Sequence, residues 1–592
     1  MIELLRLFGK ELEGCAKFDF KAVNKQSLLK GFLVTADACT EDVVDYLSTI
    51  SINPNATFYR DWEDIISKSR FELYIDQLKH YASTYGTNFT GEAYVPNEGA
   101  INIPSMDNIK IIDTISKSDA IERLKKMIYS PMAMKQETAN DVMTVAKKLS
   151  VDIEIDNIKN KELKMLFCAS FGMVPKNADE FVRFLVYKAT AKTLLIKSKE
   201  VINEIKASKI KLSNYINDDN IITISSVFNR FKPLFLAFKN CNEDNAKTVN
   251  KLRKLAIKYH KPKVESFWSN CFSQSLYDIL EKVDELTNFK KISLINECTS
   301  KLNQDGVVPK PYIIRNGKMF VNEKNNVYNI DMDKIRGISV ILFDSLVKSL
   351  RKKACNVKLD DNIELALPTS EKTFIGNYPI YSSVAMDKDT IVGIYWKNEW
   401  GASDLDLSYL NVRSNSKIGW DSDFNSENVI FSGDMTNAYP EATELLYFKT
   451  VIDSNDSGII HVNRFSGKEN AEYNLFVAKE KIDKNNWKTG YMCDPNNIIF
   501  QSHDKMDSKE KSIAIIANNK MYISSLRTGS NRVSISNKYS SEYIEYIKNN
   551  IVNHLTLKSV LSLAGFEFVD KTENAEIDFS KPTKDMFMDL LS

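Results

Sequence analysis

The chain reads as a multidomain α+β protein. An all-helical amino-terminal half, HEAT-like or an irregular bundle, precedes a carboxy-terminal antiparallel β-sandwich and a helical tail. Three observations predict this. At 592 residues the chain exceeds one ordinary core, and roughly three to four domains are expected. Apolar residues recur at helical spacing up to about residue 300, then in alternation from Glu364 to about Ser536. In that second region Asn, Asp, Gly and Ser recur at the short intervals of strand turns.

Composition narrows the function classes. A hydrophobic fraction of 43% with 27% charged residues is that of a soluble globular protein. The net charge of +1 creates no global field toward nucleic acid, membrane or an acidic substrate, so any such binding needs a local patch. The 8 cysteines are scattered singly with no C-x-x-C pair, which argues for reduced thiols over a zinc ribbon or disulfide framework. The opening Met1-Ile2-Glu3-Leu4-Leu5-Arg6 lacks the apolar core of a signal peptide, and no stretch is long enough to span a bilayer. A cytoplasmic protein without membrane contact is expected. Heavy use of Lys, Asn and Ile suggests an AT-rich bacterial or phage genome.

The elements follow in order. Residues 1–105 form a helical domain, with apolar spacing in Asp61–Ile66 and Phe71–Leu78, a glycine stop at Gly86, and a loop from Asn88 to Pro104. Residues 106–304 carry successive helical stripes, among them Gln136–Leu149, Lys161–Gly172, Asn177–Ala191 and Lys247–Tyr259. Residues 305–375 connect the halves through a hairpin, Tyr312–Val321, with Asn316-Gly317 at its turn, and a helix from Arg336 to Lys353. Residues 376–540 hold the strands of the sandwich. Residues 541–592 return to helix through Ser541–Leu563 and close on the amphipathic turn Met586–Leu591.

The most informative residues lie in the β-region. Ser403-Asp404-Leu405-Asp406-Leu407-Ser408 is followed by Asp421-Ser422-Asp423-Phe424 and then by Ser432-Gly433-Asp434-Met435-Thr436. Carboxylates clustered at strand ends beside Ser and Gly are the raw material of an all-oxygen Ca²⁺ site. Asp and Ser at such positions also cap turns through their own side chains, without metal, and both readings stand. The ordered set D-x-D-x-S, D-x-D-F and G-D-x-x-T resembles the tellurium-resistance TerD-type domain over roughly residues 380–480. That resemblance implies a β-sandwich whose loop aspartates hold Ca²⁺. Carried onto this chain, the ligands would be Asp404, Asp406, Asp421, Asp423 and Asp434, with Ser408 and Thr436 at the family's hydroxyl positions. The family's next loop is rich in Gly and acids; here Asn437–Glu444 retains only Glu441 and Glu444, so Glu441 completes a reduced ligand set. Trp396, Trp400 and Trp420 surround the motif, as a binding face or as core.

A second candidate is basic. Lys247–Lys263 carries Lys247, Lys251, Arg253, Lys254, Lys258, Lys261 and Lys263 with no acid, opposite a stripe of Val249, Leu252, Leu255, Ala256 and Tyr259. Such a face can neutralise nucleic-acid phosphates, or it can pair with acids from neighbouring helices. Lys348, Arg351, Lys352, Lys353 and Lys358 form a smaller cluster. Asn177–Tyr187 and Thr193–Glu200 are faintly similar to the HEAT-like module of Ro-type RNA-binding proteins, although the D-x-S-x-S motif of that family is absent.

Motifs for a P-loop, a nucleophile elbow or a zinc protease do not occur, and His80, His260, His461, His503 and His554 are far apart in sequence. The expected function is therefore a non-enzymatic intracellular scaffold or interaction protein of bacterial stress or phage biology, with a protein partner and a Ca²⁺ site. The alternative is an RNA- or DNA-binding helical scaffold using the basic helix. A metal-dependent hydrolase is the third reading, with no general base to support it.

Overall fold

The computed structural model describes residues 2–15, 18–20, 23–24, 27, 32–50, 110–262, 266–303, 311–313, 319–321, 331–412, 414–438, 441–450, 457–482, 487–527 and 554–592. The expected helices at Asp61–Ile66 and Phe71–Leu78, the loop to Pro104, the hairpin turn at Asn316-Gly317, Lys263 and His80 lie outside them. These residues fall into two compact units, divided between Asn270 and Cys271.

The first unit is mostly helical. It opens with α1 (Ile2–Phe8), β1 (Lys10–Leu12), β2 (Phe32–Val34), α2 (Glu41–Thr49) and β3 (Lys110–Ile115). The three strands form a parallel sheet in the order β1-β3-β2. This sheet departs from the helical reading of residues 1–105: its strands are only 3–6 residues long, too short to declare a period. The helices continue as α3 (Lys117–Tyr129), α4 (Gln136–Lys148), α5 (Lys161–Ser170), α6 (Ala178–Thr190), α7 (Lys199–Ala207), α8 (Ile221–Ser225), α9 (Lys232–Lys239) and α10 (Glu243–Tyr259). Most begin at a side-chain cap that satisfies an orphan first-turn N–H. Ser116 accepts from Asp119, Asn160 from Glu162 and Leu163, Asn177 from Asp179 and Glu180, and Ser198 from Val201. The two largest clusters of buried side chains in this unit gather around Leu124, Val142 and Phe167 and around Phe181, Phe235 and Leu252; smaller ones centre on Val34 and Val43 and on Cys168 and Phe184.

The second unit joins helices to sheets. The sequence places a domain edge at residue 304, but α11 (Leu276–Lys282) and α12 (Asn288–Leu302) belong to the unit that holds the strands. There α12 packs along α13 (Met332–Arg351). β4 (Pro311–Ile313) and β5 (Met319–Val321) pair antiparallel, as the hairpin reading expects.

After β6 (Asn356–Lys358), the sandwich comprises β7 (Ile363–Glu364), β10 (Ser383–Ala385), β11 (Thr390–Lys397), β12 (Ala402–Asn411), β13 (Ser416–Gly419), β14 (Val429–Phe431), β15 (Glu441–Phe448), β16 (Gly458–Gly467), β17 (Ala471–Lys479), β18 (Ile498–Met506), β19 (Glu510–Ala517) and β20 (Lys520–Leu526), while β8 (Phe374–Ile375) and β9 (Tyr378–Pro379) pair only with each other. One antiparallel sheet has the order β13-β12-β16-β19-β20-β10-β7 and the other β14-β15-β11-β17-β18. β12 lies across β11 and β15, with Tyr409 meeting Phe448 edge-on at 5.5 Å. Gly393 makes the middle of β11 thin. A Cβ there would stand 2.4 Å from Leu445 and 2.6 Å from Phe476, so only glycine lets both fill the core.

The tail is α14 (Leu557–Ala564), β21 (Glu567–Phe568), β22 (Ile577–Asp578) and α15 (Lys584–Leu591). α14 and α15 supply its expected helical character. β21 and β22 flank β6 in parallel, so the tail also closes a small sheet. Among the described residues no helix is long and apolar enough to cross a membrane.

Candidate metal centre

Strand alternation sets Asp404, Asp406 and Ser408 on one face of β12, while Leu405, Leu407 and Tyr409 face the other. β13 pairs with β12 only from Ser408 onward, so the earlier half of β12 is an edge on that side. Its Leu407 N–H is satisfied by a side chain from the other sheet. Glu444 of β15 accepts that N–H at 2.6 Å through Oε2 and the Met435 N–H at 2.8 Å through Oε1. One buried carboxylate thus clasps the 432–438 loop against β12.

Gly433 shapes that loop. Its φ of 114° suits glycine, and a Cβ would meet Thr489 Oγ1 at 2.1 Å. The following residue, Asp434, is carried to the β12 edge. One carboxylate oxygen from each of Asp404, Asp406 and Asp434 then lies within 4.8 Å of the others. Asp404 and Asp406 are buried and Asp434 half-buried. Among the described residues, Asp404 Oδ1, Asp406 Oδ2, Asp434 Oδ1 and Ser408 Oγ have no hydrogen-bond partner and are shielded from solvent. A native interior rarely leaves so many polar atoms unsatisfied in one place.

The electrostatics follow from this crowding. Burial, then the Asp434 charge, pushes Asp404 up to about 6. Burial, then Asp404, Asp434 and Asp421, pushes Asp406 up to about 7. Burial also raises Asp434, and it holds Glu444 well above the usual carboxylate range against the pull of its two N–H donors. Removing water and gathering like charges both favour the protonated acids, and a bound cation would reverse both effects.

The other sequence candidates have separate positions. Asp421 is ion-paired with Lys417. Asp423 is exposed, and its carbonyl accepts the Gly419 N–H at 3.2 Å. Glu441 accepts the Tyr395 hydroxyl at 2.6 Å, and Thr436 is exposed. The sequence marks Glu444 only as a surviving acid of the loop. Its spacing from Glu441 distinguishes neither, and burial against an unpaired strand edge is a tertiary fact. Of the tryptophans, Trp396 is core, Trp400 packs on Tyr395 and His503, and Trp420 lies edge-on to an exposed Phe465 at 6.4 Å.

The basic candidate is helix α10. Val249, Leu252 and Ala256 are buried, and Lys247, Lys251, Arg253, Lys254, Lys258 and Lys261 are exposed. Lys251 pairs with Asp218 at 2.8 Å; among the described residues the other five make no ion pair. The smaller cluster is partly structural. Lys353 donates to the Asp589 and Leu590 carbonyls at the end of α15, and Lys358 to Thr572.

Among the described residues thiol and imidazole groups form no comparable cluster. The eight cysteines are free, and burial pushes Cys168 up to about 11 and Cys298 to about 12, which keeps both protonated. His461 is buried against Ser512 Oγ at 3.1 Å, and desolvation lowers it to about 3. No family model, curated protein or solved structure matches the chain.

Proposed function

We propose that the sandwich is a Ca²⁺-binding module of TerD type within a non-enzymatic scaffold or interaction protein. The observation that carries this reading is the convergence of Asp404, Asp406 and Asp434 with an unpartnered oxygen on each. Hard carboxylate oxygens select Ca²⁺ or Mg²⁺ over softer metals. The crowded, partly dehydrated geometry favours Ca²⁺, which accepts irregular coordination, over Mg²⁺, which keeps its waters. The Ser408 hydroxyl would add a neutral ligand. Glu444 would position the Asp434 loop, its two oxygens being held by backbone N–H groups.

The test is thermal melting of the full chain after chelation, with Ca²⁺ or Mg²⁺ restored at millimolar concentration. A ligand that binds only the native state must raise the melting temperature, by about 2.7 kcal/mol of stability at a hundredfold excess over Kd. Asp406→Asn should abolish the rise. No Ca²⁺-dependent shift in the parent protein would refute the reading.

A second reading, nucleic-acid binding by α10 and the turn after it, is favoured by Lys247, Arg253, Lys254, Lys258 and Lys261, which are exposed and make no ion pair among the described residues. Replacing Lys247, Lys254 and Lys258 with Gln should flatten the salt dependence of RNA or DNA binding by roughly two to three log units per log unit of salt. An unchanged slope returns the helix to a solvated surface.

A further inference from the structure

We infer that the helical unit binds a small organic phosphate of nucleotide size, in a cavity between α5, α6, α7 and α9. The cavity holds about 830 Å³, within the range of small-molecule sites. Lys161, Arg183, Lys197 and Arg230 line it against a single acid, Asp179. Arg230 donates from Nη1 to Asp179 Oδ2 at 2.9 Å, with Nη2 2.8 Å from Oδ1, so this ion pair is internally neutralised. Lys197 donates to the Arg230 carbonyl at 2.7 Å and lies 5.0 Å from the centre of the Phe231 ring, which leaves its charge uncompensated. Among the described residues Lys161 and Arg183 make no ion pair. Three cations that make no ion pair among the described residues, Lys161, Arg183 and Lys197, therefore line one concavity and give it a positive potential.

The backbone adds to this charge. Lys161 is the first residue of α5, Asp179 lies in the first turn of α6, Ser198 caps α7 and Phe231 caps α9. Four helix amino-termini thus border the cavity that the unpaired side chains already make cationic, and the positive end of each helix dipole adds to that potential. The wall is apolar. Ile196 and Phe231 are nearly buried, but Leu195 is 53% exposed at the mouth, with a φ of 48° that leucine rarely adopts. Holding an aliphatic side chain there, in a strained backbone, suits a ligand with an apolar or aromatic body behind its anionic group. Arg183 supplies a planar fork for phosphate and Lys161 a point charge.

The test is calorimetric titration of the full chain with ADP, adenosine, inorganic pyrophosphate and a 5′-phosphorylated tetranucleotide. ADP should bind at least about tenfold more tightly than pyrophosphate, and adenosine should not bind at millimolar concentration. Arg183→Gln and Lys161→Gln should each weaken ADP about tenfold, with unchanged circular dichroism and melting. Leu195→Ala should weaken ADP and leave pyrophosphate unaffected, and Lys125→Gln, exposed on α3 and outside the cavity lining, should change neither. Tighter binding of the tetranucleotide that is equally lost in Arg183→Gln would assign the same phosphate chemistry to a strand end. No binding of ADP or the tetranucleotide, equal affinity for ADP and pyrophosphate, or indifference to Arg183→Gln would overturn the inference. None of these outcomes depends on Ca²⁺.

Discussion

Without a cation, Asp404 and Asp406 face a choice between holding protons and repelling one another. Their folded values, about 6 and about 7, stand above the 3.8 of an exposed aspartate. Folding therefore gains from their protonation: the stabilisation is complete below about pH 4 and disappears as pH rises through 6 to 7. His461 acts in the opposite direction. Its folded value of about 3 lies below the ordinary 6.5, so its contribution is present above pH 6.5 and is lost on acidification. In chelator at about pH 8, Asp406→Asn should therefore melt higher than the parent, by roughly 1–2 kcal/mol once partial water screening is allowed for. The gap should close as pH falls toward about 5. With Ca²⁺ present the order should invert. Parallel melting curves for the two proteins across this range would show that the carboxylates do not carry the strain assigned to them.

Among the elements, Glu444 joins parts that no strand ladder connects. Its two oxygens satisfy Leu407 on β12 and Met435 in the loop after β14. Glu444→Leu would leave both N–H groups buried without acceptors, at about 1–3 kcal/mol each. Glu444→Gln keeps one acceptor oxygen and should cost about half as much. Denaturant titration of the two variants measures the difference, and equal stabilities would remove the clasp. The legibility of the chain follows the same division. Strands β11, β16 and β19 are readable because alternation and turn residues are local signals. The D-x-D-x-S run reads as strand-end and turn chemistry, whereas it lies inside β12, whose alternation puts Asp404, Asp406 and Ser408 on one face. Joining Asp434 to them required a loop crossing from the other sheet, which spacing does not encode. Asp421 and Asp423 read as equal candidates, but Lys417 neutralises the first and solvent surrounds the second. The β1-β3-β2 sheet escaped detection because two of its strands have only three residues each.

For the whole molecule, the division at residue 270 changes which fragments should be stable. The first unit closes its apolar stripes on one another, through clusters around Leu124 and Phe181. A chain ending at Asn270 should melt cooperatively with strong helical dichroism. Extending it to residue 302 adds α11 and α12 without α13, against which α12 packs. That longer fragment should expose the apolar face of Ile292, Leu294 and Ile295 and associate at micromolar concentration. Sedimentation of the two fragments distinguishes them; a monomeric longer fragment would mean that α12 finds cover elsewhere.

The pairing of β6 with β21 and β22 bears on how the protein is made. Asn356 receives its hydrogen-bond partner Glu576 from 220 residues further along the chain. At ribosomal speeds of roughly 5–20 residues per second, β6 waits on the order of 10–40 s for its neighbours to emerge. All the intervening strands are synthesised in that interval, so the sandwich has time to assemble before its adjoining small sheet can close. β6 meanwhile exposes both edges to any other nascent strand, and the short length of three residues limits that hazard.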